Sequence, residues 1–553
     1  MTDYEILAEK IFPNVLETID DLEKRFPKRD LKDGAMVTRF APSPTGFLHT
    51  GSLFTSLVSY RFAKQSNGVF YIRLEDTDTK REVSGSGAEL LEQLKVFGIT
   101  PDEGYLSDEL EIGKYGPYKQ SNRADIYKVV IKDLIKRGRA YPCFATQEEL
   151  QEMRAKQEAN KEIPGYYGKY AIYRNTPLNE QLALIDSGKP YIIRFRSMGN
   201  HKNKIKIHDE IRGDLELTEN DQDIVILKSD GLPTYHFAHL VDDHFMRTTH
   251  ITRGEEWLSS LPIHLELFAS MGWEAPKYAH LPVIMKLDNG NRRKLSKRKD
   301  NEAAVSYFLE QGYPKYGFIE YLLTLANSNY EMWREQNMDK DKYDFVLSFD
   351  KMSLDGALFD FKKVQNISKE LMARRTTDEI VSEALEWSSK YSKELYDLIC
   401  SDKEYFKKIM SIERNKDKPR KDYEKYSDIL PIINFFYDKY YNELIKHLEW
   451  NEAISKDDIK ALLVDYRDNM NLDLDEEAWF NDIKALGMRH NFCDSVKVWK
   501  KNKEAYKGHV GDVSEILRIA ITGKKQSPNL YYVLKILGKE RSIARINQIL
   551  ELI

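Results

Sequence analysis

Residues 36–60 constrain the fold more than any other part of this 553-residue chain. Residues 36–40 have the composition of a short strand, residues 42–46 contain the prolines and glycine of a turn, and from Gly51 onward apolar side chains recur at helical spacing. A strand that passes through a tight loop into a helix is typical of α/β folds. The start of such a helix gathers backbone N–H groups and the positive end of the helix dipole, which suits an anion such as a nucleotide phosphate.

His49 and Gly51 lie at this helix start. An imidazole can donate a hydrogen bond to a phosphate, and glycine has no Cβ to keep a nucleotide away from the backbone. The same pattern also fits an ordinary crossover with a solvated histidine. The strand, loop and helix alone therefore leave both interpretations open.

Composition and charge limit the class of protein. With 41% hydrophobic and 31% charged residues, the chain is expected to form several globular domains. No segment approaches ~20 uninterrupted apolar residues, so we expect no membrane span. The first residues carry acids instead of the basic-then-apolar pattern of a signal peptide. The net charge of −5 does not exclude a nucleic-acid partner, because RNA affinity depends on where Lys and Arg are placed.

Cysteine and histidine spacing argues against a metal centre. The cysteines are three in number and far apart, which indicates reduced thiols in a cytoplasmic location and no Cys-rich zinc site: Cys143, Cys400 and Cys493. Three histidines lie close together in sequence, but they do not combine with a carboxylate at a standard ligand spacing: His236, His239 and His244. We therefore predict no metal site and no structural zinc.

An acidic cluster follows the next predicted strand. Residues 68–74 read as a strand that ends at Glu75-Asp76-Thr77-Asp78. Ligands of open α/β sheets gather beyond the carboxyl ends of strands. Such an acidic run also fits a helix N-cap, for example at Asp78, whereas a carboxylate at Glu75 could pair with the ammonium group of an amino acid.

Residues 224–299 contain further predicted strands and then a run of charged residues. Residues 224–227, 249–253 and 280–286 are predicted strands, and residues 234–244 enter a helix. Residues 291–299 then carry six Lys or Arg side chains. By itself such a run indicates an exposed face or a nucleic-acid patch.

Two motifs carry a resemblance to a known family. The string Arg-Phe-Ala-Pro-Ser-Pro-Thr-Gly-x-Leu-His-x-Gly-Ser, residues 39–52, resembles the first signature of class I aminoacyl-tRNA synthetases, in the form that glutamyl-tRNA synthetases carry. Lys-Leu-Ser-Lys-Arg, residues 294–298, is similar to the second signature, the Lys-Met-Ser-Lys-Ser loop. Residues 351–353 read Lys-Met-Ser, but they lack the second lysine and lie after the catalytic half, so we do not assign them to this loop.

The resemblance implies an α/β Rossmann-like nucleotide-binding catalytic domain with an α+β insertion, followed by an all-α anticodon-binding region. The expected divisions are a helical extension (1–34), the first catalytic half (35–115), a connective insertion that binds the tRNA acceptor end (116–226), the second catalytic half (227–290), the lysine loop with a stem-contact region (291–365), and the helical anticodon-binding region (366–553). Basic residues at 194–206 and the basic loop 414–425 are candidates for contact with RNA phosphates.

Implied by the resemblance is a ligase that joins glutamate to tRNA. A buried carboxylate must be paired, and two guanidinium groups bind it well, whereas a carboxamide would leave them undercompensated. The residues expected to bind glutamate are Arg39, Ala41, Ser43, Glu75, Tyr235, His239 and Arg253. His239 departs from the family, where Asn or a small residue is common. The expected catalytic residues are His49, Gly51, Ser52, Lys294, Ser296 and Lys297.

ATP, as its Mg²⁺ complex, is the implied co-substrate. The residues expected to contact it are His49, Gly51, Glu256, Ile284, Lys294, Leu295, Ser296, Lys297 and Arg298. The implied partners are tRNA(Glu), with tRNA(Gln) as a second candidate, and the protein is expected to be a cytoplasmic monomer without a membrane partner. Two alternatives stay open: a glutaminyl-tRNA synthetase and a non-catalytic RNA-binding paralogue.

Overall fold

The computed structural model describes residues 1–44, 46–78, 85–296 and 299–553. The chain divides into two compact units, Met1–Tyr307 with Ile319–Asp360, and Phe308–Phe318 with Phe361–Ile553. The helices up to residue 336 are α1 (Asp3–Ile11), α2 (Ile19–Arg25), α3 (Thr50–Gln65), α4 (Ser86–Val96), α5 (Ala124–Lys136), α6 (Gln147–Ala159), α7 (Leu178–Asp186), α8 (Tyr235–Phe245), α9 (Leu261–Met271), α10 (Val305–Gln311), α11 (Lys315–Ala326) and α12 (Tyr330–Gln336).

The strands up to residue 358 form four sheets of three or four strands. They are β1 (Val37–Phe40), β2 (Val69–Ile72), β3 (Glu103–Ser107), β4 (Leu110–Ile112), β5 (Ala140–Cys143), β6 (Ile192–Phe195), β7 (Lys204–Asp209), β8 (Gly213–Thr218), β9 (Val225–Leu227), β10 (His250–Gly254), β11 (Lys277–Leu281), β12 (Ile284–Asp288), β13 (Asn291–Lys294) and β14 (Ala357–Leu358).

Two largely parallel sheets organise the first unit. One has the order β1-β2-β3-β4 and the other β10-β11-β7-β8. The parallel pairs are β1 with β2, β2 with β3, β10 with β11, and β11 with β7. The Thr249 N–H donates to the Val37 carbonyl at 3.0 Å, which joins the start of β10 to β1. The strand order therefore reverses between β1 and β10, and open α/β sheets bind ligands beyond the carboxyl ends of the strands at such a point.

The helix α3 covers these two sheets. His49 caps its first turn, and buried side chains such as Leu53, Leu57 and Phe62 recur at helical spacing along it. The Thr38 hydroxyl on β1 donates to the Ser59 carbonyl at 2.7 Å. This strand, loop and helix confirm the predicted α/β pattern at residues 36–60.

One predicted strand is divided in two in the structure, and three other strands join sheets that the sequence did not indicate. Residues 280–286 form parts of two strands, β11 and β12, because Pro282 lacks the N–H that a continuous ladder requires. The strand predicted at residues 224–227 is present as β9, and it pairs with β6 in an antiparallel sheet with β5. The strands β7 and β8, from the segment predicted as the insertion, join the sheet of β10 and β11.

The N-terminal helices pack on the first unit. Glu23 in α2 accepts from Arg247 at 2.5 Å and lies 2.7 Å from His244 Nε2 at the end of α8. Arg29 donates to both carboxylate oxygens of Glu103, at 2.8 and 3.0 Å, and to the Met246 carbonyl. These contacts hold the far end of α8, the helix that begins at Tyr235.

The second unit is almost entirely helical, as predicted. Its remaining elements are α13 (Phe361–Arg374), α14 (Thr377–Tyr391), α15 (Lys393–Ser401), α16 (Lys403–Met410), α17 (Ile429–Ile433), α18 (Asp438–Leu444), α19 (Lys456–Asn469), α20 (Glu476–Arg489), α21 (Val496–Trp499), α22 (Val510–Thr522), α23 (Leu530–Leu537), α24 (Lys539–Leu552), β15 (Phe492–Cys493) and β16 (Gly508–His509). One apolar core runs through it, with Phe406, Leu462, Leu517 and Ile546 among its fully buried residues.

Two basic residues proposed for RNA contact are turned inward. Arg414 donates to the carbonyls of Met372, Arg375 and Met410 at 2.7 to 3.0 Å. Arg194 is buried and donates to the Asp223 carbonyl at 2.8 Å. Both side chains donate to backbone carbonyls, which leaves the other basic residues of these two segments as the candidates for contact with RNA phosphates. Among the helices of the described segments, none combines the length and apolar character needed to cross a membrane.

Candidate active site

A cavity of about 1200 Å³ opens at the carboxyl ends of β1, β2 and β10. Its walls include the loop after β1, the start of α3, the end of β2, the strand β9 with the turn that follows it, the start of α8, the end of β10, and the β12–β13 hairpin. Most of the predicted site residues line it: Arg39, Ala41, Ser43, His49, Gly51, Ser52, Glu75, Tyr235, Arg253, Glu256, Ile284, Lys294 and Leu295. Lys297 and Arg298 lie outside the described residues.

The His49 ring is oriented by the helix that it caps. Its Nδ1 accepts from the Gly51 N–H at 2.9 Å, so the ring proton is on Nε2. A Cβ at position 51 would lie 3.1 Å from that Nδ1, which is tighter than ordinary contact. Glycine is therefore needed at position 51 for the cap as well as for the approach of a ligand.

Arg39 lies above a buried group of charges. Its Nε donates to Asp243 Oδ1 at 3.2 Å, and Arg73 Nη1 donates to the same oxygen at 2.9 Å. Arg73 Nη2 also donates to Glu75 Oε1 at 3.0 Å. Burial opposes the ionisation of Asp243, but the charges of Arg73 and Arg39 outweigh it and hold the pKa of Asp243 well below its ordinary value. The buried Asp243 carboxylate thus fixes the position of the Arg39 guanidinium group at the cavity wall.

Glu75 reaches the cavity from the end of β2. It is 8% exposed, and burial raises the pKa of its carboxyl above the ordinary value, against the lowering effect of the Arg73 and Arg39 charges. A buried carboxylate of this kind gains from a cationic partner such as an ammonium group.

Arg253 has a different environment. It is 5% exposed, and its hydrogen-bond partners among the described residues are uncharged: Nε donates to His280 Nε2 at 3.0 Å, Nη1 to His264 Nδ1 at 3.1 Å and Nη2 to the Trp257 carbonyl at 3.3 Å. These bonds use three of the five guanidinium N–H groups. A buried cation without a directly bonded carboxylate strongly favours an anionic ligand.

Trp257 forms a wall that the sequence did not single out. Its ring centroid lies 4.3 Å from that of Tyr235, and the residue is 36% exposed.

Lys228 is a second site residue that the sequence did not predict, although it follows β9 directly. Its Nζ donates to the Thr77 carbonyl at 2.7 Å. The rule that polar residues after strands mark ligand sites would have found Lys228.

Two described residues among those predicted lie away from the cavity wall. His239 is fully buried, with Nε2 2.9 Å from the Tyr278 hydroxyl and Nδ1 3.0 Å from Asp243 Oδ2. Burial lowers the pKa of His239 to about 3, so the ring is neutral at pH 7. Ser296 lies beyond Leu295, and its N–H donates to Asp300 Oδ2 at 2.9 Å.

Asp300 anchors the lysine loop. It accepts from Arg293 at 2.6 and 2.8 Å, from Lys286 Nζ at 3.1 Å, and from the Ser296 N–H. The Arg293 hydrogen bonds hold the pKa of Asp300 far below its ordinary value. Lys294 extends from the same hairpin, with its Nζ 3.1 Å from Glu256 Oε1. The loop therefore leaves β13 from a rigid base.

Within the part of the chain that the structure describes, no group of three or more His, Cys, Asp or Glu side chains is arranged to hold a metal ion. The three histidines flagged in the sequence instead bond to His264, Tyr278 and Glu23.

Comparison with known proteins agrees with this geometry. A family model described as "tRNA synthetases class I (E and Q), catalytic domain" matches residues 35–363, and one described as "Anticodon binding domain" matches residues 494–550. The glutamate–tRNA ligase of Clostridium perfringens (strain 13 / Type A) is 46% identical over 98% of this chain and 100% of that protein. The glutamate–tRNA ligase of Acetivibrio thermocellus is 45% identical over 99% of this chain and 100% of that protein.

A solved structure is also similar over nearly the full length. The crystal structure of a glutamate tRNA ligase from Elizabethkingia meningosepticum, in complex with its amino acid, has a TM-score of 0.74 and 29% identity. The match covers 94% of this chain and 99% of that chain. Together with the family model, which spans more than half of the residues, these matches decide the family. The chain belongs to the class I (E and Q) tRNA synthetases.

Proposed function

We propose that the protein is a glutamate–tRNA ligase, which activates L-glutamate with ATP and transfers the glutamyl group to the 3′-terminal adenosine of tRNA(Glu). The full-length relatives support this activity. The observation that carries the choice of amino acid is Arg253, a buried cation at the cavity wall whose bonded partners are uncharged. A side-chain carboxylate compensates that charge, and the neutral carboxamide of glutamine does not.

Recognition of glutamate is assigned to both sides of the cavity. Arg39 and Arg253 bind its carboxylates, and the Tyr235 hydroxyl adds a hydrogen bond. Glu75 pairs with the α-ammonium group. Ala41 and Ser43 supply the loop backbone beside the amino acid, while His239 supports Tyr235 from below, with ring centroids 6.0 Å apart.

Activation requires no nucleophilic side chain. A carboxylate oxygen of glutamate attacks the α-phosphorus of ATP, the bond to the bridging oxygen breaks, and pyrophosphate leaves with that electron pair. A ribose hydroxyl of the tRNA then attacks the carbonyl carbon of the adenylate, loses its proton and displaces AMP. Catalysis is alignment together with stabilisation of the negative charge on phosphate oxygens.

The charges for that stabilisation come from the two signatures. His49 donates from Nε2 to a phosphate, the backbone at Gly51 and Ser52 lies beside it, and Lys294 and Lys297 neutralise the departing pyrophosphate, with Ser296 in the same loop. Ile284 and Leu295 face the adenine with backbone groups, and Glu256 and Arg298 complete the nucleotide site. Mg²⁺ enters with ATP as part of the substrate complex.

RNA binding is assigned to two segments of the chain. The insertion within residues 116–226 binds the acceptor end and residues 366–553 bind the anticodon region. The helical N-terminal segment supports the catalytic half. The enzyme acts as a cytoplasmic monomer, and it needs no structural zinc.

The test is aminoacylation of purified tRNA(Glu) and tRNA(Gln) with labelled glutamate and, in parallel, labelled glutamine. We expect glutamate to be esterified to tRNA(Glu) and glutamine to be rejected as a free amino acid. Glutamine charging would instead identify a glutaminyl-tRNA synthetase. Absence of tRNA-dependent ATP–pyrophosphate exchange would identify a non-catalytic RNA-binding paralogue. Charging of tRNA(Gln) with glutamate would add a second substrate to the same activity.

A further inference from the structure

Two buried imidazoles lie directly behind Arg253. His264 and His280 are both fully buried, and each accepts one N–H of the guanidinium group, at 3.1 and 3.0 Å. Neither ring lines the cavity, and the mechanism proposed above uses neither of them. They come from different elements, α9 and β11, so the fold brings them to Arg253 from two directions.

Hydrogen bonding determines the tautomer of each ring. Arginine has only N–H donors, so His280 Nε2 must accept and the ring proton must be on Nδ1, which lies 2.6 Å from Asp209 Oδ2. By the same reasoning His264 Nδ1 accepts, and its Nε2–H donates to His236 Nδ1 at 2.9 Å. Both rings are neutral in this arrangement, because a second ring proton would face the guanidinium N–H.

The surroundings maintain this neutral state. Burial is the main cause that lowers the pKa of His264 well below its ordinary value, and it also lowers the pKa of His280. Asp209 is fully buried and receives the backbone N–H groups of Ile211 and Arg212 at 3.0 and 2.9 Å. It orients His280 while staying one ring away from Arg253.

Arg39 shows the contrast. Its Nε is bonded directly to a carboxylate oxygen of Asp243, so a fixed anion of the protein already compensates it in part. Arg253 is held as firmly, but by neutral acceptors, and its positive charge is left for a ligand. Two guanidinium groups in one cavity thus differ in how much charge they offer.

The geometry points to His264 and His280 as positioning residues that fix the Arg253 guanidinium without neutralising it and thereby set the preference for a ligand carboxylate over a carboxamide. This inference rests on the proposed function, because the carboxylate is that of glutamate. Replacing a neutral acceptor by a carboxylate would keep Arg253 in place and remove the charge that selects the ligand. Replacing the imidazole by another neutral acceptor would keep both the position of Arg253 and its uncompensated charge.

The test compares two isosteric variants of the full chain, His264→Asn and His264→Asp. Either side chain places an oxygen near the position of the imidazole Nδ1, and the two differ by one negative charge. KM for glutamate, KM for ATP and the kcat/KM ratio of glutamate to glutamine are measured in tRNA(Glu) aminoacylation. Thermal unfolding with and without glutamate reports folding and binding independently of turnover.

We expect the Asp variant to have a KM for glutamate at least ~10-fold above that of the Asn variant, the scale of one charge-assisted hydrogen bond. KM for ATP should differ little between them, and the glutamate preference should be lower in the Asp variant. Equal KM values for glutamate in two folded variants would overturn the inference. So would a parallel rise in both KM values, because that indicates a purely structural role.

A second pair covers the case in which His264→Asp does not fold. His280→Gln retains an acceptor near Nε2, and His280→Leu removes it. We expect KM for glutamate to be at least ~10-fold higher in the Leu variant than in the Gln variant, and equal values would again contradict the inference. Wild-type enzyme that fails to charge tRNA with glutamate would refute the proposed function instead, so the two failures are distinguishable.

Discussion

His49 and Ala304 face each other as an isolated antiparallel β-bridge. The pairing joins the start of α3 to the chain that follows the lysine loop, and it is reinforced where the Thr50 hydroxyl donates to the Glu302 carbonyl at 2.8 Å and the Val305 N–H to the Leu48 carbonyl at 3.2 Å. Although more than 240 residues separate the two signatures in sequence, backbone contacts join the first one to the segment directly after the second.

Lys294→Ala is expected to lower kcat by about 10²-fold, because it removes a cation aimed at the charge that develops on the phosphates. The matched control is Lys351→Ala, in the Lys-Met-Ser sequence after the catalytic half. Within the described residues its exposed side chain forms an ion pair only with Asp350, at 3.3 Å. Single-turnover aminoacylation measures both. Equal losses in the two variants would contradict the assignment of the loop.

Arg253→Gln is expected to raise KM for glutamate at least ~10-fold, since a charge-assisted hydrogen bond to the ligand carboxylate is lost. KM for ATP should change little. Arg137→Gln, at an exposed pair with Asp133, is the control and should leave both constants as in the wild type. Unchanged glutamate kinetics would remove Arg253 from the pocket.

Glu75→Gln is expected to weaken recognition of the α-ammonium group. Glutarate, which is glutamate without that group, serves as a competitive probe. KM for glutamate should rise at least ~10-fold, the scale of a lost ion pair in a buried site, while the inhibition constant of glutarate changes far less. A parallel change in both constants would show that Glu75 acts only through its bond to Arg73.

Asp300→Asn is expected to loosen the base of the lysine loop and to lower kcat/KM for ATP at least ~10-fold, because three cationic or N–H donors lose a buried carboxylate. Asp288→Asn is the matched control: it removes a carboxylate from the same Arg293, but Asp288 is 43% exposed and Asp300 only 1%. Similar effects of both variants would indicate that burial of the anchor is unimportant.

His236→Asn is expected to flatten the dependence of stability on pH. Burial, together with the Arg253 charge, lowers the pKa of His236 to about 4, whereas an unfolded histidine titrates near 6.5. The unfolded chain therefore binds more protons as pH falls, and stability that is present above about pH 6.5 is lost toward pH 4, at up to ~1.4 kcal/mol per pH unit for this group. The Asn variant keeps an acceptor for His264 but cannot titrate, so its Tm should fall less than that of the wild type between pH 7 and pH 5.

Local rules predicted the parts of the site that depend on local sequence. The turn at residues 42–46 and the apolar spacing after Gly51 determine the strand, loop and helix, and the strand-end rule placed Glu75 at the cavity. Pro282 is also a local signal: it has no N–H for a strand ladder, and it separates β11 from β12. The signatures placed His49 and Lys294 in one cavity, and the structure brings them together.

The remaining features depend on contacts that no local pattern encodes. His280 and Asp209 are 71 positions apart, and their partnership appears only when β7 and β11 become neighbours. Arg194 and Arg414 look like surface cations in sequence because their carbonyl acceptors lie up to 42 positions away. The pairing of β9 with β6 could not be predicted either, because other strands of the chain have similar apolar patterns.

Glu23 and Arg29 connect the N-terminal segment of the chain to the end of α8. Both residues precede the region that the family model matches. They nevertheless hold the C-terminal end of α8, and the N-terminal end of the same helix carries Tyr235. A truncation or fusion that breaks the contacts of Glu23 and Arg29 is therefore expected to disturb the site from a distance. It would let α8 shift, and with it Tyr235 at the cavity wall.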